Sequence, residues 1–305
     1  MSAAERFDFV PFGKDAPARA AACDGLVPKA ALDLSHWEGN ATPKELKRDT
    51  STEIALAFAR TGEKVELAVN NHFDADGALA VFALVRSDVA LAHEKLFVAA
   101  AEAGDFDEWS TDEGIKLEAA VRRLGMLKTE SDAYARVLRD LEGVLANLDR
   151  REDLWGSAWK ALEEARAKLD CVHVLRHGAI ATIVHPRDVD ELAGPVLHRA
   201  IGPANAWLLA FEQADGTFTY RLEHARHAWA DTVVRPKLGA PSRHAVAKGI
   251  ERIAGIPLDA WAFKGELGMT GLMRTKASIA TPPEIVGSAV ERSLPPLVAH
   301  AEEAR

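Results

Sequence analysis

The chain has 305 residues, 48% apolar and 27% charged, and its 37 basic against 46 acidic side chains give a formal net charge of −9. This length accommodates two domains with ordinary cores, the composition excludes a disordered chain, and the charge excludes a global field that would attract nucleic acid or an anionic membrane. Cys23 and Cys171 fit neither a zinc spacing nor a disulfide framework, the N-terminus lacks the basic-then-apolar order of a signal peptide, and no run of about 18 apolar residues is present to span a bilayer, so a cytoplasmic location without membrane partners is expected.

After an irregular start punctuated by Pro11, Pro17 and Pro28, the run at 30–34 reads as a short strand. It ends in the polar loop Ser35-His36-Trp37-Glu38-Gly39-Asn40. Thr42-Pro43 then reads as an N-cap with proline at the first helical position, and helix is expected through to residue 58. The apolar, β-branched run at 65–69 follows, so strand, helix and strand form a right-handed parallel crossover. A polar turn, Asn70-Asn71-His72-Phe73-Asp74-Ala75-Asp76-Gly77, leads into apolar residues at helical spacing. Helix is expected again at 89–103, stopped by Gly104 and followed by an acidic loop at 105–109.

The segment 112–168 is rich in Ala, Leu, Glu, Arg and Lys, with breaks near 125–131 and 149–153. It reads as three helices with solvated outer faces. From 171 the texture changes to strands at 171–175 and 180–184, a helix at 188–200, and a hairpin whose arms at 206–211 and 217–222 enclose Ala214-Asp215-Gly216. A helix at 244–254 and a glycine-rich segment at 264–271 complete the pattern. The expected fold class is α/β, with a parallel sheet flanked by helices and a second, smaller α+β domain. Its boundaries are 1–168, including the helical segment 112–168, and 169–305.

The chemistry concentrates in the turn after the strand at 65–69. His72, Asp74 and Asp76 fall at alternating positions where a strand ends, so their side chains can converge on one or two cations, and Gly77 opens a helix whose N-terminus favours an anion. Imidazole with carboxylates suits Mn²⁺ or Mg²⁺. Two such ions about 4 Å apart serve hydrolysis of a phosphate ester. The same residues also suit a plain turn with an aspartate N-cap.

The stretch His72-Phe73-Asp74-Ala75-Asp76-Gly77 resembles the first motif of the DHH phosphoesterase superfamily, which includes RecJ-like nucleases, oligoribonucleases and manganese pyrophosphatases. The resemblance implies that His72 and Asp74 bind one metal and Asp76 the other. Asp105, in Ala103-Gly104-Asp105-Phe106, resembles the aspartate of the second motif, which bridges the two. No Asp-His-His motif stands downstream. Upstream, however, Leu32-Asp33-Leu34-Ser35-His36-Trp37 and the following Asp49-Thr50-Ser51-Thr52-Glu53 are similar to that third motif and its helix, with Ser35 in the place of one histidine. The motif order would then be permuted. The resemblance implies catalytic roles for His36 and Asp76, and gives Asp33 a place in the metal set or behind His36. The Ser-His-Trp and Asn-Asn-His-Phe-Asp stretches also fit a separate bacterial branch.

The hairpin near 206–226 is similar to the substrate-binding domain that accompanies DHH domains, which implies that Arg221, His224, Arg226 or His227 faces a substrate phosphate. The expected partner is a small phosphorylated substrate or a short oligonucleotide, and a homo-oligomer is open. Phe73-Asp74-Ala75-Asp76-Gly77 further resembles the haloacid-dehalogenase nucleophile motif, in which Asp74 would attack phosphorus and Asp76 act as acid and base. A non-catalytic binding protein on a degenerate DHH-like fold is the alternative from another class. No Walker loop, dinucleotide fingerprint or serine-hydrolase elbow is present.

Overall fold

The computed structural model describes residues 6–202, 204–238, 241–263 and 270–294. It divides the chain into two units, one comprising Met1–Ala161 with Ala230–Arg235, the other Leu162–Trp229 with Pro236–Arg305. The fold class is the expected one: a parallel sheet with flanking helices in one unit and a mixed sheet with helices in the other. Among the described residues no helix is long and apolar enough to cross a membrane.

The first unit is built on β1 (Phe7–Phe9), β2 (Ala20–Cys23), β3 (Leu32–Leu34) and β4 (Leu67–Asn70), which form a four-stranded sheet in the order β1-β4-β2-β3. All its neighbouring strands are parallel. The crossover from β3 to β4 therefore does not join neighbours, because β2 lies between them. Its helix, α1 (Ser51–Arg60), also starts later than Thr42-Pro43 suggests. Thr50 caps it in a reciprocal box with Glu53, whereas the Thr42 hydroxyl is engaged by the Ser35 backbone at 2.9 and 2.7 Å.

After β4 come α2 (Ala75–Val85), α3 (Ser87–Ala92), α4 (Glu94–Phe106), α5 (Asp112–Leu124), α6 (Glu130–Leu145) and α7 (Glu152–Ala167). Every residue of α2 is buried, among α1, α4, α5, α6 and the sheet. Its small side chains let those neighbours approach, and Phe82 and Phe97 fill the remaining space, each stabilising the core by about 1.5–3 kcal/mol. Gly104 does not end α4. A Cβ there would lie 3.3 Å from that of Ala75, so this glycine lets α4 close on the start of α2, and the expected acidic loop begins two residues later, leaving Asp105 in the last helical turn.

In the second unit, β5 (His173–His177), β6 (Ile180–His185), β7 (Ala206–Glu212), β8 (Phe218–His224), β9 (Trp261–Ala262) and β10 (Gly271–Thr275) form one sheet in the order β5-β6-β7-β8-β10-β9. β6 and β7 run parallel and the other pairs antiparallel. The helices are α8 (Gly194–Ile201), α9 (Arg243–Ala254) and α10 (Pro283–Glu291). Helix α8 is shorter than the expected 188–200 because Pro195 sets its first turn. One sheet face, carrying Ile180, Leu208, Tyr220, Leu222 and Met273, packs with α9 and α10 around Val246, Ile250, Val286 and Val290. Most of the glycine-rich segment, 264–269, lies outside the described residues.

Candidate metal centre

Three neighbouring parallel strands deliver the polar residues of the first unit. At their carboxyl ends β2 leads into Asp24, β3 into His36, and β4 into His72 and Asp74. Ligand sites gather at this end of an open parallel sheet because every loop there follows a strand in the same direction. Since β2 is the middle strand, Asp24 stands between the two histidines. Its Oδ2 lies 2.9 Å from His72 Nε2 and its Oδ1 3.4 Å from His36 Nε2.

Two groups of donors result, Asp24 with His72 and Asp74, and Asp24 with His36 and Asp76, the donor atoms of each lying within 4.8 Å of one another. Each group could hold a metal ion, and the two share one carboxylate. The Asp24–His36–Asp76 group is fully buried, whereas His72 and Asp74 keep 27% and 40% of their side-chain surface, so only that side meets solvent. Asp105 joins the buried group from α4, its Oδ2 3.2 Å from His36 Nε2.

The imidazoles are oriented from behind. His36 Nδ1 donates to the Asp49 carbonyl at 2.6 Å; a carbonyl only accepts, so Nε2 is the nitrogen left to face the carboxylates. His72 Nδ1 donates to Asn71 Oδ1 at 2.9 Å, and Asn71 is itself tied to the Leu26 carbonyl at 3.0 Å. Asp76 takes the N–H groups of Ser51 and Thr52, at the start of α1, on its two oxygens at 2.8 Å each, and Asp74 Oδ1 accepts from Gly77 N as the cap of α2. Each oxygen has a second lone pair, so these bonds orient the carboxylates without exhausting them. Tyr134 braces the turn, accepting from Asn70 at 2.7 Å and donating to the His72 carbonyl at 2.9 Å.

Four carboxylates and two imidazoles in so small a space perturb one another. Burial pushes Asp24 up, but hydrogen bonds from His36 and His72 outweigh it and hold that carboxylate far below its usual range. His72 shows the reverse balance: burial opposes its charge, yet Asp24 and Asp74 raise it to about 11. Burial lifts Asp76 to about 6, and burial with the nearby Asp76 charge drives Asp105 well above the carboxylate range. Protons therefore neutralise the metal-free cluster, and a divalent cation would displace them.

A chain segment distant in sequence completes the unit. Ala230 forms an antiparallel bridge with Trp37, and Asp231 N donates to the His36 carbonyl at 2.6 Å. The Asp49 carboxylate accepts the N–H of Val233, the N–H of Val234 at 2.8 Å and that of Arg235 at 2.9 Å, together with Arg235 Nη1 at 2.8 Å. Arg235 also pairs with Glu102 at 2.7 Å and Glu108 at 2.6 Å, over the Phe106 ring. The segment Ala230–Arg235 thus holds both the backbone of His36 and the residue that orients its ring.

A family model described as "Family of unknown function (DUF6687)" matches residues 5–295. The chain belongs to this family. No curated protein matches the DUF6687 chain. A solved structure titled "pGpG-specific phosphodiesterase - PggH from Vibrio cholrae" is similar at 10% identity and a TM-score of 0.36, over 86% of this chain and 78% of that one.

Of the residues singled out from the sequence, His36, His72, Asp74 and Asp76 lie in the two donor groups, and Asp105 lies beside one of them. Asp33 lies in neither group; it accepts from Ala41 N at 2.7 Å and closes the 35–40 loop, while the Asp49 carbonyl has the place behind His36. In the second unit, Arg221 and His224 fall on opposite faces of β8, and Arg221 and Arg226 both pair with Glu223. The residue missed is Asp24, the shared one. Its signal is Asp24-Gly25 after an apolar run, hidden because Ala20-Ala21-Ala22-Cys23 lacks β-branched residues. Gly77 makes room for it and Gly25 for the asparagines beside it. A Cβ on Gly77 would fall 2.9 Å from Asp24 Oδ2 and 2.5 Å from Asn70 Nδ2, and one on Gly25 would fall 2.1 Å from Asn71 Oδ1.

Proposed function

We propose that this protein is a divalent-metal-dependent hydrolase of a phosphoester or phosphoanhydride, of DHH-like type with permuted motifs, taking Mn²⁺ or Mg²⁺. The observation that carries the reading is Asp24, whose two oxygens each face a different imidazole–carboxylate group. Carboxylates outnumber imidazoles in both groups, which favours the harder divalent ions. When bound, a pair of such ions activates water and clamps a phosphoryl oxygen. Asp24, His36 and Asp76 would hold the enclosed ion, and Asp24, His72 and Asp74 the one nearer solvent. Because only His72 and Asp74 are accessible, a small phosphorylated substrate or the end of a short oligonucleotide would be met on their side.

The buried Asp76, bonded to the start of α1, acts by placing the enclosed ion and holding charge, and His36 by presenting Nε2 to the same ion. The haloacid-dehalogenase reading asks Asp76 to approach a phosphate held at Asp74, but its oxygens are turned to α1 instead. The test is metal analysis with a turnover panel. Two Mn²⁺ per chain by calorimetry, with hydrolysis of phosphodiesters or pyrophosphate that Asp76→Ala abolishes while the fold is kept, is the expected result. Absence of turnover on any phosphate compound, with one metal bound or none, would overturn the hydrolase and leave the non-catalytic binding protein.

A further inference from the structure

The second unit carries a cleft that the metal centre does not use. On the sheet face turned away from α9 and α10, the register sets Phe211, Thr219, Arg221 and Arg274 side by side across β7, β8 and β10. With Thr275 and Lys276 they line a cleft of about 550 Å³. In a chain of net charge −9 this is a concentration of cations.

Their states differ in a way that suits an anion. Arg221 is fixed by Glu223 at 2.6 Å and by Glu191, so its charge is matched and its guanidinium positioned. Arg274 and Lys276 are exposed and, among the described residues, have no acidic partner. Arg274 lies in β10 and Lys276 just past its end, and both line the same cleft. A single carboxylate would satisfy one of them, whereas a chain of phosphates meets both, with Arg offering its planar fork. Phe211 stacks on His185 at 4.8 Å and has the Arg221 guanidinium 5.9 Å from its ring centre, so it is already flanked by two side chains. The cleft is equipped for phosphates rather than for bases.

We infer that this face binds the phosphate chain of a phosphorylated ligand through Arg274 and Lys276, engaging more than one phosphate at a time. As a statement about substrate class it rests on the hydrolase reading, so the test measures binding without metal or turnover and the two fail separately. The full chain in EDTA is titrated by calorimetry with orthophosphate, tripolyphosphate and a 5′-phosphorylated tetradeoxyadenylate at several salt concentrations. Tripolyphosphate is expected to bind at least tenfold more tightly than orthophosphate. Arg274→Glu with Lys276→Glu is expected to weaken it at least tenfold and, for the tetranucleotide, to flatten the slope of log K against log salt by about 1.4, the value for two lost contacts to a single strand. Equal affinity for the two polyanions assigns the site to free oligophosphates, and tighter binding of the tetranucleotide assigns it to oligonucleotides; both support it. No binding of either polyanion, or unchanged binding by the charge-reversed variant with an unaltered circular dichroism spectrum, overturns it.

Discussion

The two sheets of this protein use polar residues in opposite ways. In the first unit all strand pairs are parallel, so the carboxyl ends of β4, β2 and β3 lie together and their loops converge. Convergence buries Asp24, His36 and Asp76 completely and creates an acidic cluster that only protons or a cation can neutralise. In the second unit most strand pairs are antiparallel, so successive loops alternate between the two ends of the sheet. Polar residues there are displayed by side-chain alternation on an open face, and Arg274 and Lys276 stay in solvent. Parallel topology concentrates charge at a point, and antiparallel topology spreads it over a surface.

The largest expected effect comes from removing the point of convergence. Asp24→Ala should weaken Mn²⁺ binding at both positions by more than about 100-fold, beyond the 10–100-fold typical of losing only an outer partner, whereas Asp74→Ala should affect one position. Calorimetric stoichiometry separates the cases, and two ions retained by Asp24→Ala would show that the groups share no ligand. Next in size is Arg235→Ala, which strips the charge partner from the buried Asp49 and should destabilise the first unit by about 3 kcal/mol in urea denaturation. A loss under about 0.5 kcal/mol would mean that the backbone N–H groups of 233–235 hold Asp49 unaided.

The smallest effect belongs to the second unit. Burial holds His185 and His224 below the ordinary value of 6.5. The unfolded chain therefore binds more protons than the folded one just below that value, so the stability these groups leave intact above pH 6.5 falls as pH drops through 6.5 towards their folded values. The urea midpoint should fall between pH 7.5 and 5.5, and His185→Gln should reduce that fall. An equal fall in the variant would assign the acid sensitivity to His224 instead, because the raised Asp76, Asp105 and His72 of the first unit take up protons on folding and gain stability as pH drops.

What could be read beforehand depended on how loudly each residue type speaks. The apolar run Val65-Glu66-Leu67-Ala68-Val69 and the alternation His72-Phe73-Asp74-Ala75-Asp76 announce a strand end with ligands, and the structure puts those side chains at the centre. The hairpin of β7 and β8 followed from Asp215-Gly216 between two β-rich runs. Asp24 stayed hidden because alanine strands form only where a parallel sheet buries them on both faces, a tertiary effect that overrides local preference. Asp105 stands out in the sequence, but Gly104, which has the look of a helix stop, serves close packing against Ala75. Asp49 and Arg235, 186 positions apart, could not be paired by any local pattern.

The segment Ala230–Arg235 also governs the order in which the molecule can be assembled. It completes the first unit only after the ribosome has emitted the intervening residues of the second, so the hold on His36 comes last although every ligand of the cluster is synthesised before residue 110. A nascent chain of 161 residues contains all of the donor set and none of the clasp. Long-range closures of this kind are generally slow, because the loop-closing entropy is lost before the contacts form. A fragment cut at the first boundary would be an unfinished unit, and an excised metal-binding domain would need 230–235 grafted back onto it.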